Sequence, residues 1–392
     1  MTQASIENRP SALILSAGFR PFFLLAAAWA AVAVPVWLAA FVHGYVLEGS
    51  LPALYWHGHE MVFGYGLAAL AGFLLTAIPN WTGRLPVRGA RLAVLAGLWI
   101  AGRFGLLASA SIGATAAAVL DLSFSAMLIA VVAREVTAAR NFHNFPVVVI
   151  LTAFFAGNLL VHLQALALAD TAELGLRIGV AMLLLLIALI GGRIVPSFTR
   201  NWLAKERPAV RAPAPHSALD WACLGIAAAG VVAWAAAPDA TASLLLEIGA
   251  GVALALRLAR WRGLATFRNP LLFVLHVGYA WLAFGLALAG LNGFYAWLPS
   301  GAPLHALTVG AIGTMTVAVM TRATLGHSGR PLAAGPGTIA LYLLVFLAAL
   351  LRLLAPLSGH YAALISLSGF AWSAGFAIFL FVYTPLLLGK KS

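Results

Sequence analysis

The 392-residue chain is 63% hydrophobic and only 9% charged, with a mean hydropathy of +0.99. A soluble globular protein is about half apolar and a quarter charged. This composition therefore excludes a soluble globular protein, and it leaves no room for a separate soluble domain. The formal net charge of +12 resembles that of a nucleic-acid-binding protein. The basic residues nevertheless argue against nucleic acid as a partner, because they concentrate in short loops on one side of a predicted membrane bundle.

Twelve apolar segments follow one another along the chain, each about the ~20 residues that a helix needs to cross a bilayer. Short loops rich in Pro, Gly and Arg separate them, as in helical membrane proteins. We therefore predict an all-α integral membrane protein, a bundle of twelve transmembrane helices. The predicted spans are residues 22–43, 58–79, 89–109, 113–133, 145–168, 175–195, 217–237, 242–259, 270–291, 303–322, 336–355 and 361–387.

The basic residues sort to one side of these spans. Only Arg103, Arg177 and Arg352 fall on the other side. Cytoplasmic loops of membrane proteins carry the excess of Lys and Arg, so the even number of spans places both termini in the cytoplasm. The predicted cytoplasmic set is Arg9, Arg20, Arg84, Arg88, Arg91, Arg134, Arg140, Arg193, Arg200, Lys205, Arg207, Arg211, Arg257, Arg260, Arg262, Arg268, Arg322, Arg330, Lys390 and Lys391.

The longest polar connection is Pro-rich and divides the spans six and six. We interpret the chain as a single polytopic membrane domain, 1–392. The alternative is two halves, 1–198 and 217–392, joined by a cytoplasmic loop, 199–216. No sequence repeat relates the halves, so an inverted-repeat transporter is neither supported nor excluded.

Histidines inside membrane spans are costly and are therefore candidate functional residues. His57 and His59 open the second span, His162 lies near the outer end of the fifth, and His305 opens the tenth. A rise of 1.5 Å per residue places these four within roughly 10 Å of one another in depth. They are candidate ligands of an outer-side metal site, whereas His143 and His216 lie in loops and are expected to be solvated.

Two geometries remain open for His57 and His59, which point about 200° apart on a regular helix. In the first, each histidine serves a different metal centre. In the second, the residues before the first helical turn are extended, so that both side chains can reach one centre. The structural alternative is that both residues and Glu60 cap the second helix, where the helix dipole favours a carboxylate. Imidazole suits haem iron, copper and zinc alike, so residue type does not choose the metal. The lone Cys223 excludes a Cys-rich metal site.

Other polar residues in the spans are also candidate functional residues. His276 is either part of a second, inner site or a core histidine bonded to a carbonyl. Arg103 and Asp121 lie at matching depth on neighbouring spans and are expected to form an ion pair. Arg352 and Arg177 are the other outer-side cations, and a haem with outward propionates would need such partners. Arg103 and Arg352 are the candidate cofactor-binding residues of this group.

Several long motifs in order give the chain a strong resemblance to the NnrS family. They are "GFRPFF", "WHGHEM", "AGFLLTAIPNWTGR", "GGRIVPSFTRN", "RLARWRG", "HVGYAW" and "LHALTVGAIGTMTVAVMTRATLGHSGRPL", and they cover nearly the whole chain. The resemblance implies a twelve-span protein of the bacterial inner membrane that contains haem and copper. It also implies a link to denitrification and to tolerance of nitric oxide. It assigns no ligands.

Given haem and copper, we assign His57 or His59 with His305 as axial haem ligands. The remaining member of the pair then binds copper with His162. Glu60 is the candidate catalytic residue, since it could pass protons from the outer side. His327 lies in a Gly-rich turn, "LGHSGRP", that could hold a phosphate, a haem propionate or an anionic lipid; the alternative is simple anchoring of helices by the neighbouring arginines.

Two functions follow for such a protein. The first is a haem–copper protein of nitric oxide metabolism or nitrosative-stress defence, which binds or reduces nitric oxide at a periplasmic-side metal site. Quinol or a periplasmic carrier would supply electrons, and oxidoreductase activity stays undecided. The alternative is a transporter or buffering protein for haem, copper or nitrosylated iron without redox turnover. A scaffold with structural histidines is a third reading. The expected partners are nitric oxide, or a related small molecule, and membrane lipid.

Overall fold

The computed structural model describes residues 13–140, 142–213 and 216–389, and every regular element in them is helical. Twelve helices are long and apolar enough to cross a membrane, which confirms the predicted fold class. Arg9, Lys390 and Lys391 of the predicted cytoplasmic set lie outside the described residues. The helices are α1 (Phe19–His43), α2 (Ala53–Thr82), α3 (Ala90–Leu107), α4 (Ala114–Ala138), α5 (Phe142–Ala165), α6 (Ala172–Glu206), α7 (Ala218–Ala236), α8 (Thr241–Ala259), α9 (Pro270–Tyr295), α10 (Gly301–His327), α11 (Pro336–Leu357) and α12 (Tyr361–Leu388).

The sixth helix is longer than predicted. It continues to Glu206, so the connection expected over 199–216 begins only after that residue. The polar stretch that suggested a loop is an amphipathic helix end, since Thr199 and Leu203, one turn apart, are both fully buried. Polar composition here marks where the helix leaves the apolar layer and not where it stops.

Chain packing divides the protein into two compact units. Unit 1 contains the described residues up to Met182, together with Met320–Pro331 and the chain from Phe376 onward. Unit 2 contains Leu183–Val319 and Leu332–Gly375. The single domain, with its alternative of halves at 1–198 and 217–392, remains a prediction.

Three of the long helices contain a π-helical segment. These are Glu60–Gly66 in α2, Ile187–Gly191 in α6 and Ala306–Gly313 in α10. The first starts directly after His59 and the third directly after His305. Such wide turns are rare and are frequent at functional sites, so the structure singles out two of the histidines that the sequence singled out.

Arg20 shows how a basic residue of the predicted cytoplasmic set is used in unit 1. Its side chain is buried, and its Nη1 atom donates to the carbonyl oxygens of Leu387 at 2.6 Å and Gly389 at 3.0 Å. These carbonyls lie at the end of α12, where a helix leaves its last acceptors without partners. Arg20 therefore caps α12 and ties it to α1.

Candidate metal centre

Five consecutive helices of unit 1 enclose a polar cluster in an otherwise apolar core. We call it the histidine–carboxylate cluster. Six of its side chains are at most 3% exposed, and the seventh, Trp29, is partly buried. Polar groups buried at this depth need partners, which they find in one another. The members are Trp29 from α1, His59 and Glu60 from α2, Arg103 from α3, Asp121 from α4, and Asn158 and His162 from α5.

Arg103 bridges the two carboxylates of the cluster. Its Nη1 donates to Oε2 of Glu60 at 2.7 Å, and its Nη2 donates to Oδ1 of Asp121. The predicted Arg103–Asp121 ion pair is thus confirmed. Trp29 adds a second hydrogen bond to Glu60 Oε2, from its indole nitrogen at 2.6 Å. Both terminal nitrogens of Arg103 are bound within the cluster, and its predicted role in cofactor binding stays a prediction.

His59 lies at the middle of the network, with oxygen atoms on both sides of its ring. Its Nδ1 is 3.1 Å from Glu60 Oε1, and its Nε2 is 2.9 Å from Asn158 Oδ1 and 3.2 Å from Asp121 Oδ2. The Asn158 amide nitrogen donates to Asp121 at 2.8 Å, which fixes the amide with its oxygen toward His59. A neutral imidazole has one N–H only. If Nδ1 carries that proton, a further proton or a metal ion on Nε2 would give the oxygens of Asn158 and Asp121 a positively charged partner.

His162 contacts the same carboxylate oxygen as His59. Its Nε2 lies 2.9 Å from Asp121 Oδ2, and the two imidazole rings are 5.4 Å apart between centroids at 73°. Within the part of the chain that the structure describes, Nδ1 of His162 has no hydrogen-bond partner. His59, Asp121 and His162 each offer a ligand atom, and these atoms lie within 4.8 Å of one another.

The spacing of these atoms suits a small metal ion. Ligand atoms around a tetrahedral ion with bonds of about 2.0–2.1 Å are roughly 3.3 Å apart. The distances of 2.9 and 3.2 Å from Asp121 Oδ2 to the two histidines are close to this value. Two imidazoles with one carboxylate is a donor set that zinc, copper and iron accept.

The charges of the cluster also favour a cation. With both histidines neutral, Glu60 and Asp121 carry two negative charges against the single positive charge of Arg103. An uncompensated charge is costly within a membrane span. A single positive charge, carried by a proton or by a monovalent metal ion, balances the cluster.

Two glycines let the helices approach closely enough to form it. A Cβ atom on Gly64 would lie 2.6 Å from Arg103 Nη1 and 2.8 Å from Glu60 Oε2. A Cβ atom on Gly102 would lie 2.9 Å from the Cα atom of Asp121. Real side chains do not come this close, so a side chain would displace the backbone of Asp121 at Gly102 and the hydrogen-bonded ends of Arg103 and Glu60 at Gly64. Gly64 belongs to the π-helical segment of α2, which links that wide turn to the cluster.

His57 does not join the cluster. It belongs to the regular helix Ala53–His59, which rules out the extended geometry considered for the pair. Its ring stacks on Trp37 of α1, with centroids 4.2 Å apart and planes at 24°. His57 and His59 therefore have different surroundings, and the prediction that each serves a different centre stays a prediction.

His305 belongs to unit 2. Its Nδ1 lies 2.5 Å from the carbonyl oxygen of Gly301, one turn earlier in α10. Since a carbonyl only accepts, Nδ1 carries the ring proton and Nε2 carries the lone pair. Metal-binding histidines commonly have this orientation. The axial pairing of His305 with His57 or His59, which belong to unit 1, stays a prediction.

His276 forms a hydrogen bond to a hydroxyl group in the core of unit 2. Its Nε2 lies 2.9 Å from Thr199 Oγ1, and this hydroxyl donates to the Val195 carbonyl at 2.8 Å. Nε2 is therefore the donor. The partner is a side-chain hydroxyl and not the carbonyl of the core-histidine alternative. A role of His276 in cofactor binding stays a prediction.

The last two predicted cofactor-binding residues have ordinary structural contacts. Arg352 donates to the Tyr361 hydroxyl at 3.3 Å near the junction of α11 and α12. His327 lies against Phe19, with ring centroids 5.4 Å apart. These contacts neither require nor exclude a cofactor, so both assignments stay predictions.

Asp121 and Asn158 are central members of the cluster that the sequence did not single out as ligands or as supporting groups. Asp121 was interpreted only as the partner of Arg103. Asn158 had a usable signal, because it lies four residues before His162, and residues at this spacing share one face of a helix. A search for polar residues one turn from each span histidine would have found it.

The fold and the cluster define a class: a twelve-helix membrane protein with a buried histidine–carboxylate cluster that could hold a metal ion. The family model described as NnrS protein matches residues 13–391, nearly the whole chain, and the chain therefore belongs to the NnrS family. A comparison with curated proteins gives no match.

Proposed function

We propose that this membrane protein of the NnrS family binds copper between His59, Asp121 and His162. We further propose that it acts in nitric oxide metabolism or nitrosative-stress defence in the bacterial inner membrane. Membership of the family supports the link to nitric oxide. The observation that carries the metal proposal is the convergence of three ligand atoms to within 4.8 Å in a buried, water-poor place.

We propose copper for this place because of the charge of the cluster and its donor atoms. Copper(I) brings the one positive charge that the cluster lacks, whereas a divalent ion would leave an excess positive charge in the membrane core. Among divalent metals, copper(II) also binds nitrogen and oxygen ligands most strongly. Asp121, His59 and His162 would be the ligands, and Arg103 would hold Asp121 in place through the second carboxylate oxygen.

Glu60 is a positioning residue in this proposal. It accepts a hydrogen bond from Nδ1 of His59 at 3.1 Å, which leaves Nε2 of that ring to the metal. A carboxylate behind a metal-bound histidine fixes the tautomer and raises the basicity of the ligand. Trp29 and Arg103 in turn fix Glu60 through its other oxygen. The earlier assignment of Glu60 as a catalytic residue remains a prediction.

For haem, the two candidate residues on α2 are no longer equivalent. Both ring nitrogens of His59 have partners within the cluster, so its use as an axial ligand would break that network. We therefore propose His57 as the haem-side histidine of α2, while the pairing with His305 of unit 2 stays a prediction. A haem held by His57 would supply an iron atom that can bind a diatomic gas and exchange single electrons.

Two modes of action share this metal centre. In the first, quinol or a periplasmic donor supplies electrons and nitric oxide is reduced. In the second, the protein binds or carries copper, haem or nitrosylated iron without redox turnover. The charge balance of the cluster supports copper binding in both.

The test is metal content together with nitric oxide consumption by the purified protein. We expect about one copper per chain in the wild type and a loss of most of it in His162→Gln. His143→Gln, which changes an exposed histidine, is the matched control. Consumption of many equivalents of nitric oxide with an electron donor would support reduction, whereas binding of one equivalent would support the buffering mode. Equal copper in both variants would overturn the proposed centre.

A further inference from the structure

A second polar feature of unit 1 lies at the opposite end of α2 from the metal centre. It is a solvent-open surface cavity of about 680 Å³ between the α2–α3 connection, residues 83–89, and the C-terminal part of α4. Pockets that bind small molecules usually measure about 300–1,000 Å³, so this cavity is large enough for a ligand. It shares no residue with the histidine–carboxylate cluster.

The charges around this cavity are strongly unbalanced. Four arginines line it, together with one carboxylate, Glu135. Arg84 forms an ion pair with that carboxylate, and its Nε lies 2.5 Å from Glu135 Oε2. The other three arginines are exposed to solvent, and their side chains have neither a hydrogen bond nor an ion pair with another described residue. They are Arg88, Arg91 and Arg134.

The arginines come from three helix ends that lie on the same side of the unit. The α2–α3 connection follows the end of α2 and precedes the start of α3, and α4 runs antiparallel to α3 and ends beside them. Apolar residues of the same connection also line the cavity, and one of them, Leu85, is 80% exposed. Arginines mixed with exposed apolar side chains at helix ends are typical of the boundary between the hydrocarbon layer and the lipid headgroups.

We propose that this cavity binds a phosphate group, and we name it the arginine cavity. A guanidinium offers two parallel N–H donors that match two phosphate oxygens, and unpaired arginines are suited to this bidentate contact. The phosphate would belong either to an anionic phospholipid or to a free phosphate compound. The positive-inside rule accounts for arginines in this connection. It does not account for three unpaired guanidinium groups around one cavity of ligand size.

The test uses the full-length protein, purified in detergent and freed of lipid. Phosphatidylglycerol or phosphatidylcholine is added in mixed micelles at equal fraction, and bound lipid is counted by native mass spectrometry. The test variant is Arg88→Gln with Arg134→Gln, which spares the Arg84–Glu135 pair. The control is Arg211→Gln with Arg268→Gln, which removes the same charge from exposed arginines that do not line the cavity.

We expect the wild type to retain phosphatidylglycerol in preference to phosphatidylcholine and the test variant to bind it at least about tenfold more weakly. The control should stay within about twofold of the wild type. Competition by millimolar inorganic phosphate would identify a free phosphate compound as the natural ligand, and its absence would identify the lipid. Equal weakening in the test and control variants, or no preference in the wild type, would overturn the proposal.

A charge-preserving variant keeps the test decisive if the glutamine variant does not fold. Arg88→Lys with Arg134→Lys retains both positive charges and removes the planar fork. We expect it to unfold at the same temperature as the wild type without lipid and to bind phosphatidylglycerol several-fold more weakly. Unchanged binding in the lysine variant would show that charge alone attracts the lipid, and the proposed bidentate site would be wrong.

Discussion

The Oδ2 atom of Asp121 accepts a hydrogen bond from Nε2 of His162 at 2.9 Å, inside the core of unit 1. The same oxygen lies 3.2 Å from Nε2 of His59. One carboxylate on α4 thus joins imidazoles from α2 and α5 that are 103 positions apart in the chain. Because Arg103 holds the other oxygen of Asp121, the carboxylate cannot turn away without breaking an ion pair.

The first prediction concerns the ligand role of His162. In His162→Gln, the amide can still donate to Asp121, so the hydrogen bond is kept while the imidazole is lost. We expect copper to fall from about one per chain to less than about a fifth of that, because one of three ligands is missing. The measurement is metal analysis of purified protein. His143→Gln should keep its copper, and a loss of equal size there would contradict the assignment.

The second prediction concerns Glu60 as the residue that orients His59. Glu60→Gln keeps the size of the side chain and removes its negative charge. Outer-shell partners of this kind are typically worth about 10–100-fold in metal affinity, so we expect at least a tenfold weaker binding of copper(I). A competition titration with a copper(I) chelator measures it. Glu173→Gln is the matched control, since Glu173 is exposed and forms an ion pair with Arg177 on the helix surface. Equal affinities of the two variants would remove Glu60 from the centre.

The third prediction concerns the close approach of α2 and α3 at Gly64. A methyl group there would overlap Arg103 and Glu60, so we expect Gly64→Ala to destabilise the protein by roughly 1–3 kcal/mol. Gly97→Ala in α3 is the control, because a Cβ atom at Gly97 meets nothing within 4 Å. Alanine is a better helix former than glycine, so this control should be neutral or slightly stabilising. Thermal unfolding in detergent separates the two. A Gly64→Ala protein as stable as Gly97→Ala would show that the cluster is not tightly packed.

The fourth prediction concerns the direction of the bundle. The positive-inside rule places the connection after α2 in the cytoplasm and the connection after α11 outside. Leu85 and Leu357 are 80% and 65% exposed and suit replacement by cysteine, while the native Cys223 is only 3% exposed and gives little background. In intact cells, a membrane-impermeant maleimide should label Leu357→Cys. Leu85→Cys should react only after permeabilisation. The reverse pattern would invert the topology and place the metal centre toward the cytoplasm.

The twelve spanning helices could be predicted from the sequence, because each segment that crosses the hydrocarbon layer must be apolar over about 20 residues. The sequence did not predict which face of each helix turns inward. Helices such as α4 and α5 are apolar on nearly all sides, so no amphipathic stripe shows that Asp121 and Asn158 face His59. That information lies in the packing of helices that are distant in sequence.

Counting charges by loop does not predict which arginines are buried or which groups they bind. The positive-inside rule sorts arginines by side and contains nothing about their partners. Arg257 was grouped with the cytoplasmic cations, yet it is only 2% exposed and donates to the Tyr279 hydroxyl at 3.1 Å and to the Ala188 carbonyl at 3.0 Å. Ala188 belongs to the π-helical segment of α6, where the helical hydrogen-bond pattern is irregular. Such a contact depends on local backbone geometry that residue type alone does not reveal.

The most direct test of the copper centre is X-ray absorption at the copper edge, made on the reduced wild type and on His162→Gln, with copper quantified in both. We expect about one copper per wild-type chain, with two imidazole nitrogens and one oxygen about 2 Å from the metal. In His162→Gln, either the copper should be lost or one imidazole should disappear from its surroundings. Wild-type protein with no copper, or with a copper environment that His162→Gln leaves unchanged, would contradict the proposal that His59, Asp121 and His162 form the metal centre.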